Sequence, residues 1–234
     1  MVSFDVRHYP SLGSTNDEAM RLAREGAADG TVVHADEQTA GRGRFARRWS
    51  SPPGNLYLSI VLRPGVPLSR WPEISFIAAL AVADAVEAML PNQLRATLKW
   101  PNDVLLRDGK IAGILLEQAT DALILGIGIN VLEAPPGTPA STIVGSGGLA
   151  SVDGMRGKLL GALAGWLDIW QQDGFAPIRT AWLTRAHPPG TRLRLTLGER
   201  VVEGSFNDID EAGALIIDTD EGRLRYTAGD VAAA

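Results

Sequence analysis

Residues 96–131 read "ATLKWPNDVLLRDGKIAGILLEQATDALILGIGINV". Three apolar, branched segments, "ATLKW", "GKIAGILLE" and "ALILGIGINV", are punctuated by the turn residues Pro101-Asn102-Asp103 and Arg107-Asp108-Gly109. Separations this short predict a meander within one sheet. Upstream, "NLYLSIVLR" (55–63) and Thr31 to Ala35 have strand patterning. Between these strands lie helical segments. Thr15 and Glu18 match the S/T-x-x-E capping box ahead of a helix through Arg24. "WPEISFIAALAVADAVEAML" (71–90) is an alanine-rich, buried-type helix with Ser69 as its expected cap.

Downstream, "PPGTPASTIVGSGG" is a loop by composition, and Ser151 to Asp173 repeats Leu159, Leu163, Trp166 and Trp170 at helical spacing. "FAPIRTAWL" extends this as a further helix, and the stripe Trp166, Trp170 and Trp182 is expected in the core. His187-Pro188-Pro189-Gly190 then breaks the pattern and marks the expected domain boundary, giving domains of residues 1–186 and 187–234. Past it, "TRLRLTL", "RVVEGSF", "GALIIDT" and "GRLRYTAG" predict four or five short strands, hence a small β-barrel.

Composition excludes several classes of function. The chain has 234 residues, 45% of them hydrophobic, no cysteine and three scattered histidines. Disulfides, thiolate metal sites and cysteine nucleophiles are therefore impossible, and a histidine metal cluster is not expected. No apolar run reaches the roughly 18 residues of a membrane span, and Met1 to Pro10 has no leader pattern. A cytoplasmic protein with no membrane partner is expected. The net charge of −5 argues against coating nucleic acid, and no helix-turn-helix precedes Ser14, so no specific DNA binding is expected.

Against that acidic background "GRGRFARRW" (41–49) concentrates four arginines and two glycines. Arg42, Arg44, Arg47 and Arg48 have the planar fork that binds phosphate or carboxylate, while Gly41 and Gly43 let backbone N–H groups approach a ligand. A phosphate clamp, a weak nucleic-acid patch and a solvated loop all fit this segment alone. Lys110, one of three lysines and placed at a strand start, is either a solvent-facing strand end or a point charge for a phosphate or acyl oxygen. Asn102, Asp103 and Asn130 have the ordinary role of satisfying backbone groups at turns, with ligand contact as the alternative. "STN" (14–16) reads first as a helix cap, and Gln38 as a loop glutamine; both would serve a polar ring if they line a cleft.

In order and spacing, "STN", "EQTAGRGRFARRWSSPPGNLYLS", "KWPNDVLL", "GKIAGILLE" and "GIGINV" resemble the biotin protein ligases, the biotin-[acetyl-CoA-carboxylase] ligase family. The resemblance is dense from Ser14 to Val131. It implies an α/β (α+β) catalytic domain with a mixed sheet and a C-terminal SH3-like β-barrel, of the monofunctional type without the N-terminal DNA-binding domain. It also implies an ATP-dependent ligase. Biotin's carboxylate would attack the α-phosphate of ATP, with Mg2+ as cofactor, to give biotinyl-5'-adenylate and pyrophosphate. A lysine of a biotin carboxyl carrier protein, a domain of an acyl-CoA carboxylase, would then take the biotinyl group.

Carried over by motif, Ser14, Thr15, Asn16 and Gln38 would bind the biotin head, with Arg42, Gly43 and Arg44 closing over biotin and its adenylate. Lys110 would bond the biotin carboxylate and α-phosphate and, with Arg44, is the implied catalytic residue. Arg47 would hold ATP phosphates, with Trp49, Asn102 and Asn130 around the adenine; the metal-contacting residues are unassigned. The chain departs from the family where many members have a basic or polar residue and then glycine: it has Phe45 and Ala46. Alanine there is expected to narrow the unbound loop and lower its ordering cost. A lipoate or octanoyl ligase, a nucleic-acid module and a carrier-binding protein without catalysis are the alternatives. A monomer or weak homodimer is expected.

Overall fold

The computed structural model describes residues 2–91, 94–107, 109–135, 137–149 and 151–233. The segment read as a meander carries four strands, β4 (Ala96–Lys99), β5 (Asp103–Leu106), β6 (Gly109–Ala119) and β7 (Ala122–Ile129), paired antiparallel in sequence order. The extra strand is β5. Asp103 opens it rather than completing the turn, because Val104 and Leu106 find fully buried positions in the sheet. Of the second turn, Asp108 lies outside the described residues.

Three more strands, β1 (Asp5–Tyr9), β2 (Thr31–Ala35) and β3 (Leu56–Leu62), extend the sheet to the order β1-β2-β3-β7-β6-β5-β4. The β1–β2 pair is parallel and the rest antiparallel, so the sheet is mixed. β1 was not anticipated, since four of its five residues are exposed and "DVRHY" has no apolar alternation to signal an edge strand.

Side-chain alternation assigns the two faces. Val32, Leu58, Ile60, Leu125 and Ile127 belong to the main core with helices α2 (Glu73–Glu87), α3 (Val152–Asp173) and α4 (Phe175–Leu183). Val33, Val61 and Ile124 face the other way, against α1 (Thr15–Arg24). α2 is apolar around most of its circumference because it is covered on both sides, by the sheet and by α3 and α4. Trp182 packs edge-to-face on Phe76 at 5.4 Å, and Trp170 and Trp182 are buried as expected. Ser69 does not cap α2: it lies in a short 3-10 turn, Leu68–Arg70, and the helix begins after Pro72.

The remaining strands, β8 (Arg192–Leu197), β9 (Arg200–Ile209), β10 (Leu215–Thr219), β11 (Gly222–Tyr226) and β12 (Asp230–Ala233), form a five-stranded antiparallel sheet in the order β11-β10-β9-β8-β12. Leu193, Leu195, Val202 and Phe206 of this sheet join the main core. Trp100 Nε1 donates to Gly213 O at 3.0 Å, and Arg179 Nε donates to Ile209 O at 2.7 Å. The small sheet therefore packs on the helical layer and on the turn before β5. Among the described residues, no helix is long and apolar enough to cross a membrane.

His34 of β2 is a buried polar exception, 2% exposed on the α2–α3 face. Its Nδ1 lies 2.9 Å from Arg156 Nη1. A guanidinium only donates, so Nδ1 accepts and the ring proton sits on Nε2. Burial, reinforced by the Arg156 charge, pushes the imidazole down to about 4 from its ordinary 6.5. Between those values the native state binds fewer protons than the unfolded chain. The contribution is thus complete above pH 6.5 and lost as the pH falls towards 4. Urea denaturation across this range is expected to show about 2–3 kcal/mol more loss in the wild type than in His34→Gln. Parallel profiles would contradict this.

Candidate active site

The face of the large sheet not covered by α2–α4 carries a cavity of about 300 Å³ beside α1. Its floor is glycine. Gly113 of β6 and Gly128 of β7 are paired in register, and a Cβ on either would lie within 3 Å of the Trp49 indole. Gly126 similarly makes room for Asn16, whose Oδ1 would be 2.2 Å from an added Cβ. Bare backbone here lets two ring-bearing or amide side chains lie directly on the sheet.

At one end, the start of α1 meets the loop after β2. Thr15 donates its backbone N–H and its hydroxyl to Gln38 Oε1, at 2.8 and 3.0 Å, while Gln38 Nε2 donates to Ser51 Oγ at 2.9 Å. Thr15 is therefore the first helical residue rather than the cap. The cap position is Ser14, without a side-chain capping bond, and Gln38 supplies the acceptor that a capping box would have provided. Asn16 Nδ2 donates to Glu117 Oε2 at 2.7 Å, and Ser59 Oγ lies at hydrogen-bond distance from both Thr15 Oγ1 and Asn16 Oδ1. Each amide nitrogen is bonded through one of its two hydrogens and keeps a second donor.

The other end is cationic. Asp103, 7% exposed, holds Lys110 Nζ on Oδ1 at 2.5 Å and Lys99 Nζ on Oδ2 at 2.8 Å. Burial pushes its carboxyl up, but the ammonium groups of Lys110 and Lys99 outweigh burial and leave it below the usual carboxylate range. Lys110 Nζ also lies 5.1 Å from the Trp49 ring centroid. Asn130 Nδ2 donates to the carbonyls of Lys110 and Ser141, at 3.2 and 3.3 Å, so it fixes the backbone that carries the lysine. Asn102 donates to Ile114 O at 2.8 Å and accepts from Arg44 Nη1 at 3.0 Å.

The arginine loop roofs the cavity as a small hairpin, with Gly43 N donating to Arg47 O at 2.7 Å and Trp49 N to Gly41 O at 2.9 Å. Arg42 pairs with Asp17 at 2.5 Å and Glu117 at 3.1 Å, and Arg47 with Asp230 of β12 at 2.6 Å. Burial lowers the pKa of Arg44, opposed by the charges of Asp230 and Asp103. Ser14, Thr15, Asn16, Gln38, Arg42, Gly43, Arg44, Arg47, Trp49, Asn102, Lys110 and Asn130 all line this one cavity, whereas Gly41 is buried and does not.

A cavity with amide and hydroxyl groups at one end, lysine and arginines at the other and bare backbone between them suits an elongated ligand with a polar head and an anionic tail. Residues 10–132 match the biotin/lipoate A/B protein ligase family, and residues 190–232 match the biotin protein ligase C-terminal domain. The chain belongs to the biotin/lipoate A/B protein ligase family. Within that family it is 41% identical over 231 residues to the biotin--[acetyl-CoA-carboxylase] ligase of Paracoccus denitrificans, covering 93% of this chain and 96% of that one. To the Mycobacterium tuberculosis enzyme of the same name it is 38% identical over 227 residues, covering 94% and 85%. The solved biotin protein ligase from Aquifex aeolicus in complex with biotin and ATP superposes with a TM-score of 0.88 at 29% identity, covering 98% and 99%.

In this biotin/lipoate ligase family member Ser59 and Glu117 support the site without having been singled out in the sequence, and Asp103 reads there first as a turn residue, with ligand contact as the alternative. Ser59 had a signal: it is the one serine or threonine in the apolar strand "LYLSIVL", and a buried hydroxyl needs a partner. Asp103 had the turn chemistry of "PND" masking it, and Glu117 had none. One expectation is reversed. Phe45 and Ala46 both sit at φ of 56°, in the left-handed region that favours glycine. Alanine therefore strains this loop conformation instead of easing its ordering.

Ala46→Gly is expected to favour the observed loop by about 1 kcal/mol and slow amide exchange across residues 41–48; unchanged or faster exchange would count against the strain. Asp103→Asn leaves two ammonium groups without their shared anion. Because both lysines keep partial access to water, a loss of about 2 kcal/mol is expected, below the usual figure for a fully buried pair. A urea unfolding free energy within about 0.3 kcal/mol of wild type would contradict it.

Proposed function

We infer that the chain activates biotin with ATP to biotinyl-5'-adenylate and transfers the biotinyl group to a lysine of a biotin carboxyl carrier protein. The observation that carries this reading is the two-ended cavity. A ureido ring presents N–H donors and a carbonyl acceptor, which suit the hydroxyl and amide groups of Ser14, Thr15, Asn16 and Gln38. A dithiolane ring offers such groups nothing, and buried polar groups left unpaired disfavour it strongly, which argues against lipoate as the substrate.

At the other end the chemistry joins two anions. Biotin's carboxylate oxygen attacks the α-phosphorus, forming the acyl–phosphate bond as the bond to pyrophosphate breaks. Like charges oppose this approach, so cations fixed before the substrates arrive lower the barrier. Lys110 bridges the carboxylate and α-phosphate in this reading. Arg44 and Arg42 close over the adenylate with Gly43, and Arg47 takes outer phosphates. Trp49, Asn102 and Asn130 border the adenine.

In the second step the carrier's lysine amine attacks the acyl carbon and AMP leaves with the bonding pair. Excluding water with the arginine loop keeps the mixed anhydride from hydrolysing first. Residues 1–186 would hold the chemistry and residues 187–234 the accessory barrel.

Among the described residues no group of three or more histidine or carboxylate side chains is clustered to hold a metal ion. That fits Mg2+ carried in by the triphosphate, which needs few protein carboxylates. The carboxylates lining the cavity are Asp103 and Asp230, and such an ion would supply neutralisation of phosphate charge.

Incubation with MgATP and biotin, or lipoate in parallel, followed by mass spectrometry is expected to reveal biotinyl-adenylate alone. Lys110→Ala should slow pyrophosphate release by about a hundredfold or more in a chain that still folds, with a melting temperature lowered by the loss of one of the two cations on Asp103. Lipoyl-adenylate as the main product would sink the substrate assignment. Near-normal pyrophosphate release in the variant would remove Lys110 from its role.

A further inference from the structure

The small sheet reaches the cavity through Asp230, the first residue of β12. The backbone that carries its carboxylate is held from two directions that do not involve the arginine loop. β12 pairs with β8 from Asp230↔Thr196 to Ala233↔Leu193, and the carbonyl of the adjacent, buried Val231 accepts Lys99 Nζ at 2.9 Å. Lys99 is in turn fixed on Asp103, whose other oxygen carries Lys110. Arg47, by contrast, lies on the hairpin roof with its side chain 61% exposed. Of the two partners in the 2.6 Å Arg47–Asp230 contact, Asp230 is the less exposed and stands on the paired backbone of β12.

The contact uses one N–H of Nη1 of Arg47, out of the five that the guanidinium carries, so the rest of the fork remains for a ligand. We propose that Asp230 is a positioning residue for the nucleotide: it aims Arg47 at the ATP phosphates, and the C-terminal sheet thereby completes the nucleotide end of the cavity. This rests on the biotin-and-ATP reading of the site. A carboxylate near a phosphate site also has an opposite tendency, because it repels the triphosphate and cancels the charge of Arg47 at a distance. The fixed backbone of β12 and the single-donor contact favour aiming over repulsion. The two effects move KM for ATP in opposite directions.

The test measures pyrophosphate release by the full chain for wild type, Asp230→Asn, Asp230→Glu, Arg47→Ala and the Asp230→Asn/Arg47→Ala double variant. Asp230→Asn is expected to raise KM for ATP about fivefold, leaving KM for biotin and the Mg2+ requirement unchanged. Asp230→Glu should recover part of the loss, and the double variant should be no worse than Arg47→Ala alone. An unchanged or lowered KM for ATP overturns the role of Asp230. So do fully additive losses in the double variant, or a raised Mg2+ requirement as the main change. The double-variant comparison still decides if Asp230→Asn lowers stability. A wild-type chain that releases no pyrophosphate from ATP and biotin overturns the functional reading and this role with it; an active wild type with an indifferent Asp230→Asn overturns this role alone.

Discussion

Asp103 places one buried carboxylate between two ammonium groups, and the cationic end of the cavity is built around that contact. Its Lys110 side lines the cavity, and its Lys99 side reaches the carbonyl of Val231 on the C-terminal sheet. A lone carboxylate this deeply buried would be driven towards its neutral form; two cations reverse that and keep it charged. The same two contacts restrain both lysines, whose long side chains otherwise lose substantial rotamer freedom when a ligand fixes them. Lys110 is thus ordered before any substrate arrives.

The arginine loop is held by the same device on a more exposed scale. Arg42 is tied to Asp17 and Glu117, Arg44 to Asn102, and Arg47 to Asp230. These groups belong to α1, β6, the turn before β5 and β12, so the roof is fastened to four parts of the molecule. The contacts offset the strain of two non-glycine residues in left-handed conformation at Phe45 and Ala46. They also keep the cations from repelling one another while the cavity lacks anions, and a substrate's carboxylate and phosphates would compete for them. The glycine floor plays the complementary part, bringing Trp49 and Asn16 against bare backbone so that the cavity lies flat on the sheet.

The strands that carry the site were legible because burial on both faces leaves apolar runs, as in "ALILGIGINV" and "NLYLSIVLR". The exposed edge strand β1 gives no such signal. β5 was obscured because Pro101, Asn102 and Asp103 are strong turn residues, although only the first two occupy the turn. At the site, the residues with ligand-type chemistry could be named from their motifs, and they converge on one cavity. What holds them could not, because each support comes from a distant part of the chain: Glu117 is 101 positions from Asn16, and Asp230 is 183 from Arg47. The effect of Ala46 is not legible in the sequence, because it depends on the sign of a backbone angle that only the folded hairpin fixes.

The central claim is that Lys110 stands ready on Asp103 and turns from it to the acyl-phosphate, while Lys99 keeps Asp103 and β12 in place. A crystal structure with a non-hydrolysable biotinyl-adenylate analogue tests it most directly. The expected result has Lys110 Nζ within hydrogen-bond distance of the acyl-phosphate linkage, the analogue's ureido ring against Thr15, Asn16 and Gln38, and Lys99 still on Asp103. An analogue bound in the cavity with Lys110 still paired only to Asp103 would contradict the claim.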